Sequence, residues 1–541
     1  MTQIAVIGGG IGGLSAAHEL AERKFDVTVF EANERLGGKA RSIPVEKQGA
    51  LHGEHGFRFF PAFYRHVVDT MSKIPYGDGT VADNLVETET TMIAGTEGPI
   101  RIAETSNPDS IRAWLDAFRP AFSEDIPARD VQFVLERLLY LLTACDDRRE
   151  GELDDVSWWE FLDAENRSPE LRRSLTHATQ SLVALRPQVG SARTIGTIYL
   201  QLLFGQLDPT TPAERILTGP TSTAWIDPWV QYLEALGVEF ETGTPVRRLD
   251  CDGGRVTSAT LSTGESVEAD EFVLAVPVEV APEFVTPELG RQAPELARIE
   301  RLETAWMNGI QFFLAEDVGL TRGHQVYADA PWALTSISQR QFWSEYDFET
   351  HSPDDVAGVL SVIASDWNTP GILYDRPARD CTREEIAREI WAQLKTHLNA
   401  NETRLTDDVL VDWFLDPSIV ETDDGVENRS PLLINTVGSL RNRPSADPGI
   451  ENLTLASDYV HTNSDLASME SANEAGRRAA NAILGRRHSS PSRARVWELD
   501  EPAVFDPFKR QDRFRYRLGL PHPGEVTQSA RSLTRRLASI V

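Results

Sequence analysis

Between Ile4 and Ser42 the chain reads IAVIGGGIGGLSAAHELAERKFDVTVFEANERLGGKARS. Ile4 to Ile7 is a short apolar run of the kind buried on both faces in a parallel sheet. Gly8, Gly10 and Gly13 complete G-x-G-x-x-G directly after it. The first glycine permits a tight turn, the second lets backbone approach a pyrophosphate, and the third lets helix and strand pack closely. A helix is expected from about Gly12 to Arg23, with Leu14, Ala17, Leu20 and Ala21 facing the sheet and its N-terminus favouring an anion. The next strand, Val27 to Phe30, ends in Glu31, where a carboxylate can accept hydrogen bonds from a ribose. Glycines in such a turn can serve the turn alone. Strand, glycines, helix, strand and acid in register predict an α/β, Rossmann-type dinucleotide-binding domain.

The residues around and after Glu31 separate NAD from FAD. EANERLGGKARS resembles the E-x-x-x-R-x-G-G-R-x-x-S run of the flavin amine oxidase and phytoene desaturase superfamily through Arg35, Gly37, Gly38 and Arg41. Lys39 stands where that family usually has arginine; lysine keeps the charge but loses the planar fork. The resemblance implies FAD, held by Gly8, Gly10, Gly12, Gly13, Glu31, Arg35, Gly38, Lys39 and Arg41. A second block, from Val238 to Val276, reads as strands at 238–241, 246–250, 256–261 and 272–276, with Gly253-Gly254 and Thr263-Gly264 as turns. It resembles the superfamily's returning half of the FAD domain, in which the residue at the place of Val246 meets adenine through its backbone. A third block, NLTLASDYVHTNSDLASMESANEAGRRAANAIL, gives a strand at 453–456, then Asp458, then a helix from near Ser468. Its resemblance to the family's closing motif implies that Asp458 bonds the ribityl or pyrophosphate region. The N–H groups near Met469 and Ala472 would then point at the flavin pyrimidine. Ser457 and Ser471 replace glycines of that motif.

These blocks lie far apart, so the FAD-binding domain is expected to be discontinuous, over 1–62, 215–299 and 443–485. An inserted α+β substrate domain would take 63–214 and 300–442, and 486–541 would be a C-terminal extension. SIRAWLDAFRPAF, RDVQFVLERLLYLLTAC and SARTIGTIYLQLLFGQL read as helices of the first insertion. The extension is arginine-rich. It is expected to strap across the protein's own acidic surface, the other reading being contact with anionic lipid or a partner.

At 541 residues, 41% of them hydrophobic, the chain can bury more than one core. No stretch of eighteen or more apolar residues predicts a transmembrane helix. The start of the chain shows no charged n-region or cleavage site, and Cys145, Cys251 and Cys381 are scattered. A cytoplasmic protein with no disulfide framework and no metal site is expected. A net charge of −30 argues against nucleic acid as a partner.

GEHGFRFFPAFYRHVVDTM, Gly53 to Met71, resembles a segment of plant-type phytoene and ζ-carotene desaturases and of hydroxysqualene dehydroxylases. It carries the catalytic candidates His55, Arg58 and Tyr64, and places Gly56 and Phe57 beside the cofactor. His55 can serve as an acid or base, or order the loop under the flavin ring through its backbone. Many amine oxidases of the superfamily carry a lysine shortly after the returning module. Here that region reads ETAWMNGIQFFL, and no lysine occurs between Lys73 and Lys395. Trp225, Trp306, Phe312, Phe313, Trp332, Phe342 and Trp343 are expected to wall an apolar pocket, the plainer reading being core packing.

The resemblance thus implies flavin hydride transfer to or from a long apolar polyene. This would be desaturation, isomerisation or dehydroxylation of carotenoid- or squalene-type isoprenoids, or cyclisation as in polycyclic tetramate macrolactam formation. Alternatives are a flavin amine oxidase, or a non-enzymatic relative that binds prenylated proteins. With a single glycine fingerprint, NAD(P)H or another electron partner would need a different kind of site. No transmembrane segment is expected, and peripheral membrane contact stays open.

Overall fold

Alternate residues of the opening strand, Gln3–Ile7, feed two separate cores, which is why the run is apolar without a break. Ile4 and Val6 pack with Leu14, Ala17 and Leu20 of the helix Ile11–Ala21. Ala5 and Ile7 pack on the opposite face with Leu249, Val256 and Ala259. The computed structural model describes residues 2–45, 51–96, 99–104, 126–208, 210–344, 346–487 and 492–525. The helix expected over 110–122 lies outside the described residues.

The opening strand sits at the centre of a five-stranded sheet in which every pairing is parallel. The spatial order is Glu239–Glu241, Asp26–Phe30, Gln3–Ile7, Glu271–Leu274, Leu453–Leu455. Its strands come from three distant parts of the chain. The helix Met469–Arg486 crosses the opening helix so closely that a Cβ on Gly476 would lie 2.6 Å from the Gly12 carbonyl oxygen. The other face is covered by an antiparallel meander, Val246–Asp252, Arg255–Leu261 and Ser266–Val267.

A seven-stranded, mostly antiparallel sheet lies in the rest of the chain. It runs in the order Arg101–Glu104, Thr90–Ala94, Gln325–Tyr327, Leu334–Ser338, Gly358–Ala364, Asn308–Leu314, Leu410–Leu415. Ile386, Ile390 and Leu394 of the helix Arg383–Leu398 pack on it. The helices Ala128–Thr143, Pro169–Val183 and Ala192–Leu207 form a separate cluster. Ser168 and Ser191 cap the second and third by accepting from the N–H three residues on.

The expected aromatic pocket wall is corrected by this packing. Trp225, Phe312, Phe313, Trp332, Phe342 and Trp343 are buried in four different cores, and Trp306 packs against one of them. Apolar side chains of that size contribute most by full burial, and here the cores take them all.

The segment after 491 is a strap. Asp512 is buried against the guanidinium of Arg148 at 3.0 Å, and Glu501 pairs with Arg149 at 2.5 Å. The Trp497 N–H donates to His66 Nε2 at 2.9 Å, and the Arg477 guanidinium lies 5.2 Å from the Trp497 ring centre. Among the described residues no helix is long and apolar enough to cross a membrane.

Candidate active site

The turn after the opening strand is shaped by backbone approaches that side chains would block. Gly8 has φ +107°, and a Cβ on it would lie 2.6 Å from the Ala275 carbonyl oxygen. Cβ atoms on Gly12 and Gly13 would come within 1.9 Å of the carbonyl oxygens of Ala456 and Gly8. Gly10 differs: the nearest atom to its Cβ would be the Gly38 Cα at 3.8 Å. No side chain caps the helix that starts here and no acid occupies its first turn. Its leading N–H groups therefore suit an anion.

These residues edge a cleft of about 690 Å³. Of the residues expected to hold the cofactor, Gly8, Gly10, Gly12, Glu31, Gly38, Lys39, Arg41, Val246, Asp458, Met469 and Ala472 line it, and so do His55 and Arg58. Gly13, Arg35, Gly56 and Phe57 do not. Gly13 serves helix packing, and Arg35 lies near Asp227 and His52. Glu31 accepts from the Gly9 N–H at 2.8 Å and the Asn33 N–H at 2.9 Å, so it fixes the glycine turn while edging the cleft. Lys39 pairs with Glu279 at 3.0 Å and donates to the Pro431 carbonyl. Its charge is shared with the opposite wall rather than left free for a phosphate. Arg41 donates to the Gly38 carbonyl at 2.9 Å.

A second cavity, about 210 Å³, adjoins the first. The two share His55, Arg58, Leu432, Ala467, Ser468 and Met469. Its other walls are Phe57, Phe59, Phe63 and Tyr64, aliphatic side chains from 182–185 and 195–202, Met307, Ile363 and 432–434. Asn435, Thr194, Ser181, Thr335 and His324 add polar points, and among the described residues no Asp or Glu lines it. The catalytic candidates His55, Arg58 and Tyr64 thus come together on this cavity, and the first two also border the cleft.

Each is held differently. The His55 carbonyl accepts from the Gly309 N–H at 2.6 Å, and its Nδ1 pairs with Asp416. Gly309 is glycine by necessity, since its Cβ would meet the Gly56 Cα at 2.7 Å. Burial opposes the charge of Asp416, but the hydrogen bond and charge of His55 hold its carboxyl well below the usual carboxylate range. Arg58 donates to the Lys39 carbonyl at 2.5 Å, and its Nε has no protein partner among the described residues. Burial pushes the Arg58 guanidinium down, against the pull of Glu54 and Asp416. Burial pushes the Tyr64 phenol up, with a hydrogen bond to Ser468 opposing it.

Two contributors carry no local sequence signal. Asp416 follows the strand Leu410–Leu415, more than three hundred residues from His55. Arg443 donates to the carbonyls of Asp458, Tyr459 and Val460 and pairs with Asp465, and so shapes the turn that presents Asp458. Only strands that converge bring such residues into place.

A cleft at the carboxyl ends of parallel strands, floored by glycines beside an uncapped helix N-terminus, defines a dinucleotide-binding fold. The family profile for flavin containing amine oxidoreductase matches residues 11–484, and the chain belongs to that family. It is an FAD-dependent oxidoreductase. The chain is 27% identical over 505 residues to carotenoid phi-ring synthase of Streptomyces griseus, covering 89% of this chain and 88% of that one. It is 24% identical over 510 residues to zeta-carotene desaturase of Synechocystis sp., covering 89% and 97%. Among solved structures it is similar to cyclohexylamine oxidase from Brevibacterium oxydans, with TM-score 0.61 and 15% identity over 90% of this chain and 100% of that one. A putrescine oxidase variant gives TM-score 0.64 at 14% identity, over 90% and 99%. At these identities the solved structures speak for the fold.

Proposed function

We propose that this enzyme dehydrogenates a long apolar polyene of carotenoid type. One observation carries the reading: an apolar cavity lined by no carboxylate among the described residues adjoins the cofactor cleft along a shared wall at His55, Arg58 and Met469. An ammonium substrate would meet the Arg58 cation there and find no counter-ion, whereas a hydrocarbon loses nothing by desolvation. The names of the carotenoid relatives agree with this choice. We assign the FAD-binding domain to 1–62, 215–299 and 443–485, and the substrate domain to 63–214 and 300–442.

The residues of the cleft divide the work of holding FAD. Backbone at Gly8, Gly10 and Gly12 would take the pyrophosphate, Glu31 the adenosine ribose, and Val246 the adenine. Asp458 would take the ribityl region. The Met469 N–H, at the start of a long helix capped by Ser468, would face the pyrimidine and favour its negative charge on reduction. The expected Ala472 N–H is instead taken by the Ser468 carbonyl at 3.0 Å, and Ala472 only lines the cleft. When bound, FAD supplies a two-electron acceptor for hydride. Phe57, Phe59 and Ile198 then orient the polyene and exclude water from the reacting carbon.

The test is anaerobic mixing of the oxidised holoenzyme with ζ-carotene, phytoene, putrescine and cyclohexylamine, following the flavin absorbance and the products. Bleaching by a polyene with gain of a double bond is the expected result. Bleaching by an amine and by no polyene overturns the reading in favour of amine oxidation. Isomerised or cyclised products would retain the polyene and replace desaturation.

A further inference from the structure

The geometry points to His55 and Asp416 as an acid–base pair that moves a proton at the carbon next to the one undergoing hydride transfer; this rests on the dehydrogenation proposed above. Asp416 is buried and locked as an acceptor. Its Oδ1 takes the Ser418 N–H at 2.8 Å, and its Oδ2 takes both Asn308 Nδ2 at 3.2 Å and His55 Nδ1. An ionised carboxylate can only accept, so the proton of a neutral His55 sits on Nδ1. Nε2 then carries a free lone pair. Among the described residues the side-chain partner of His55 is Asp416, met through Nδ1, and His55 is on the wall common to the cleft and the apolar cavity. Asn308 is itself fixed, its Oδ1 accepting from Asn428 at 2.7 Å, so the carboxylate cannot swing away. Asp416, just past the far strand, pairs with the imidazole, and Arg58, itself drawn by Glu54 and Asp416, lines the same wall as His55.

A basic nitrogen held at the meeting point of two cavities has no structural task on that side. Two histidines line the apolar cavity, His55 and His324, and of these His55 also borders the cleft, so it is the base placed to neutralise a developing cation at the adjacent carbon. The balance closes. One C–H bond would break with its electron pair, for which bound oxidised FAD would supply the hydride acceptor. The neighbouring C–H bond breaks, its pair becomes the new double bond, and its proton passes to His55 Nε2. Asp416 stays an anion and offsets the imidazolium until that proton reaches water. His55 is the catalytic residue here and Asp416 the positioning residue.

The test has two arms on the holoenzyme. The first needs no substrate: nitrogen NMR of the labelled imidazole is expected to show the proton of its neutral form on Nδ1 and not on Nε2. In Asp416→Asn, whose amide can donate to Nδ1, the proton should move to Nε2. An Nε2-protonated wild type, or no change in Asp416→Asn, overturns the pair. The second arm measures single-turnover flavin reduction by the polyene against pH. His55→Gln is expected to lose about a hundredfold or more in rate, with the low-pH limb set by the pair gone and flavin binding intact. Asp416→Asn should lose a similar factor through the wrong tautomer. Equal rates and profiles in His55→Gln and wild type overturn the proposal. Failure of every polyene with wild type would instead sink the substrate reading, while the NMR arm still decides the pair.

Discussion

Gly10 separates what the fold needs from what the ligand needs. A methyl on Gly12 or Gly13 would sit 1.9 Å from a backbone oxygen, so alanine at either position must push the helix off the sheet. Gly10 has φ −77°, a region open to any residue, and its Cβ would have 3.8 Å of clearance. No protein atom therefore requires glycine there, yet the residue edges the cleft. Gly10→Ala should fold as well as wild type, gaining about 0.4–1 kcal/mol from the stiffer unfolded chain. With FAD, the methyl would hold a pyrophosphate away from the first N–H groups of the helix. Losing two hydrogen bonds to a charged oxygen removes about 3 kcal/mol or more, which weakens binding by roughly a hundredfold or more. Thermal unfolding with and without added FAD reads both terms, since ligand-linked stabilisation scales with free ligand over Kd. The expected pattern is an apo melting temperature at or slightly above wild type and a strongly reduced shift on adding FAD. Gly13→Ala should instead lower the apo value. A Gly10→Ala protein that binds FAD like wild type would refute the placement of the pyrophosphate.

Ile198→Trp puts an indole into the smaller cavity, so flavin content should hold while polyene-driven flavin reduction drops more than about tenfold; a normal rate would show that the substrate lies elsewhere. Asp512→Ala leaves the buried Arg148 with only Glu152 and the Leu520 carbonyl as partners, and denaturant unfolding should show a loss of about 1.5–3 kcal/mol. The hydrogen bond from His18 lowers the Glu22 carboxyl from 4.5 to about 2, with burial opposing. A depressed acid stabilises the fold above its unfolded value and loses that contribution as pH falls through the folded value. Glu22→Gln should thus cost about 1 kcal/mol near neutral pH and nothing below about pH 2, once its partial exposure is allowed for.

The parts legible in the sequence were those whose physics is local. A continuous apolar run, glycines at fixed offsets and an acid at the next strand end determine a strand, a turn and a helix without help from elsewhere. The opening strand, its helix and the meander with its Gly253-Gly254 turn accordingly lie where the periodicity placed them. The aromatic wall failed for the opposite reason. Burial favours Trp332 or Phe312 in a core and in a pocket alike, and composition cannot tell which face a ring meets. The actual wall is aliphatic side chains of two helices, Leu182 and Val183 on one and Ile195 to Leu202 on the other, with Leu185 just past the first, joined to Phe57 and Phe59. Asp416 was invisible because its meaning depends on the pairing of Asn308–Leu314 with Leu410–Leu415, a register that no short-range pattern specifies.

That dependence on distant strands explains how a loop can carry the side chains proposed to react. The segment from His55 to Tyr64 has little regular structure, and a free loop would place His55 too loosely for proton transfer. It is clamped at both ends instead. At its start, the carbonyl and imidazole of His55 are held by Gly309 and Asp416 of the large sheet. Just past its end, the N–H groups of Arg65, His66 and Val67 all donate to the buried carboxylate of Glu470, in the first turn of the helix whose N-terminus borders the cleft. His66 donates to the same carboxylate through Nδ1 and accepts the Trp497 N–H of the strap at Nε2, so its neutral form closes the clamp. Glu470 thereby links the catalytic segment to the helix assigned to the flavin. The relative position of His55 and that helix is set by a buried ionic hydrogen-bond cluster rather than by loop sequence. Removing the carboxylate would leave three backbone donors and an imidazole buried without partners, a larger penalty than the loss of a typical surface acid.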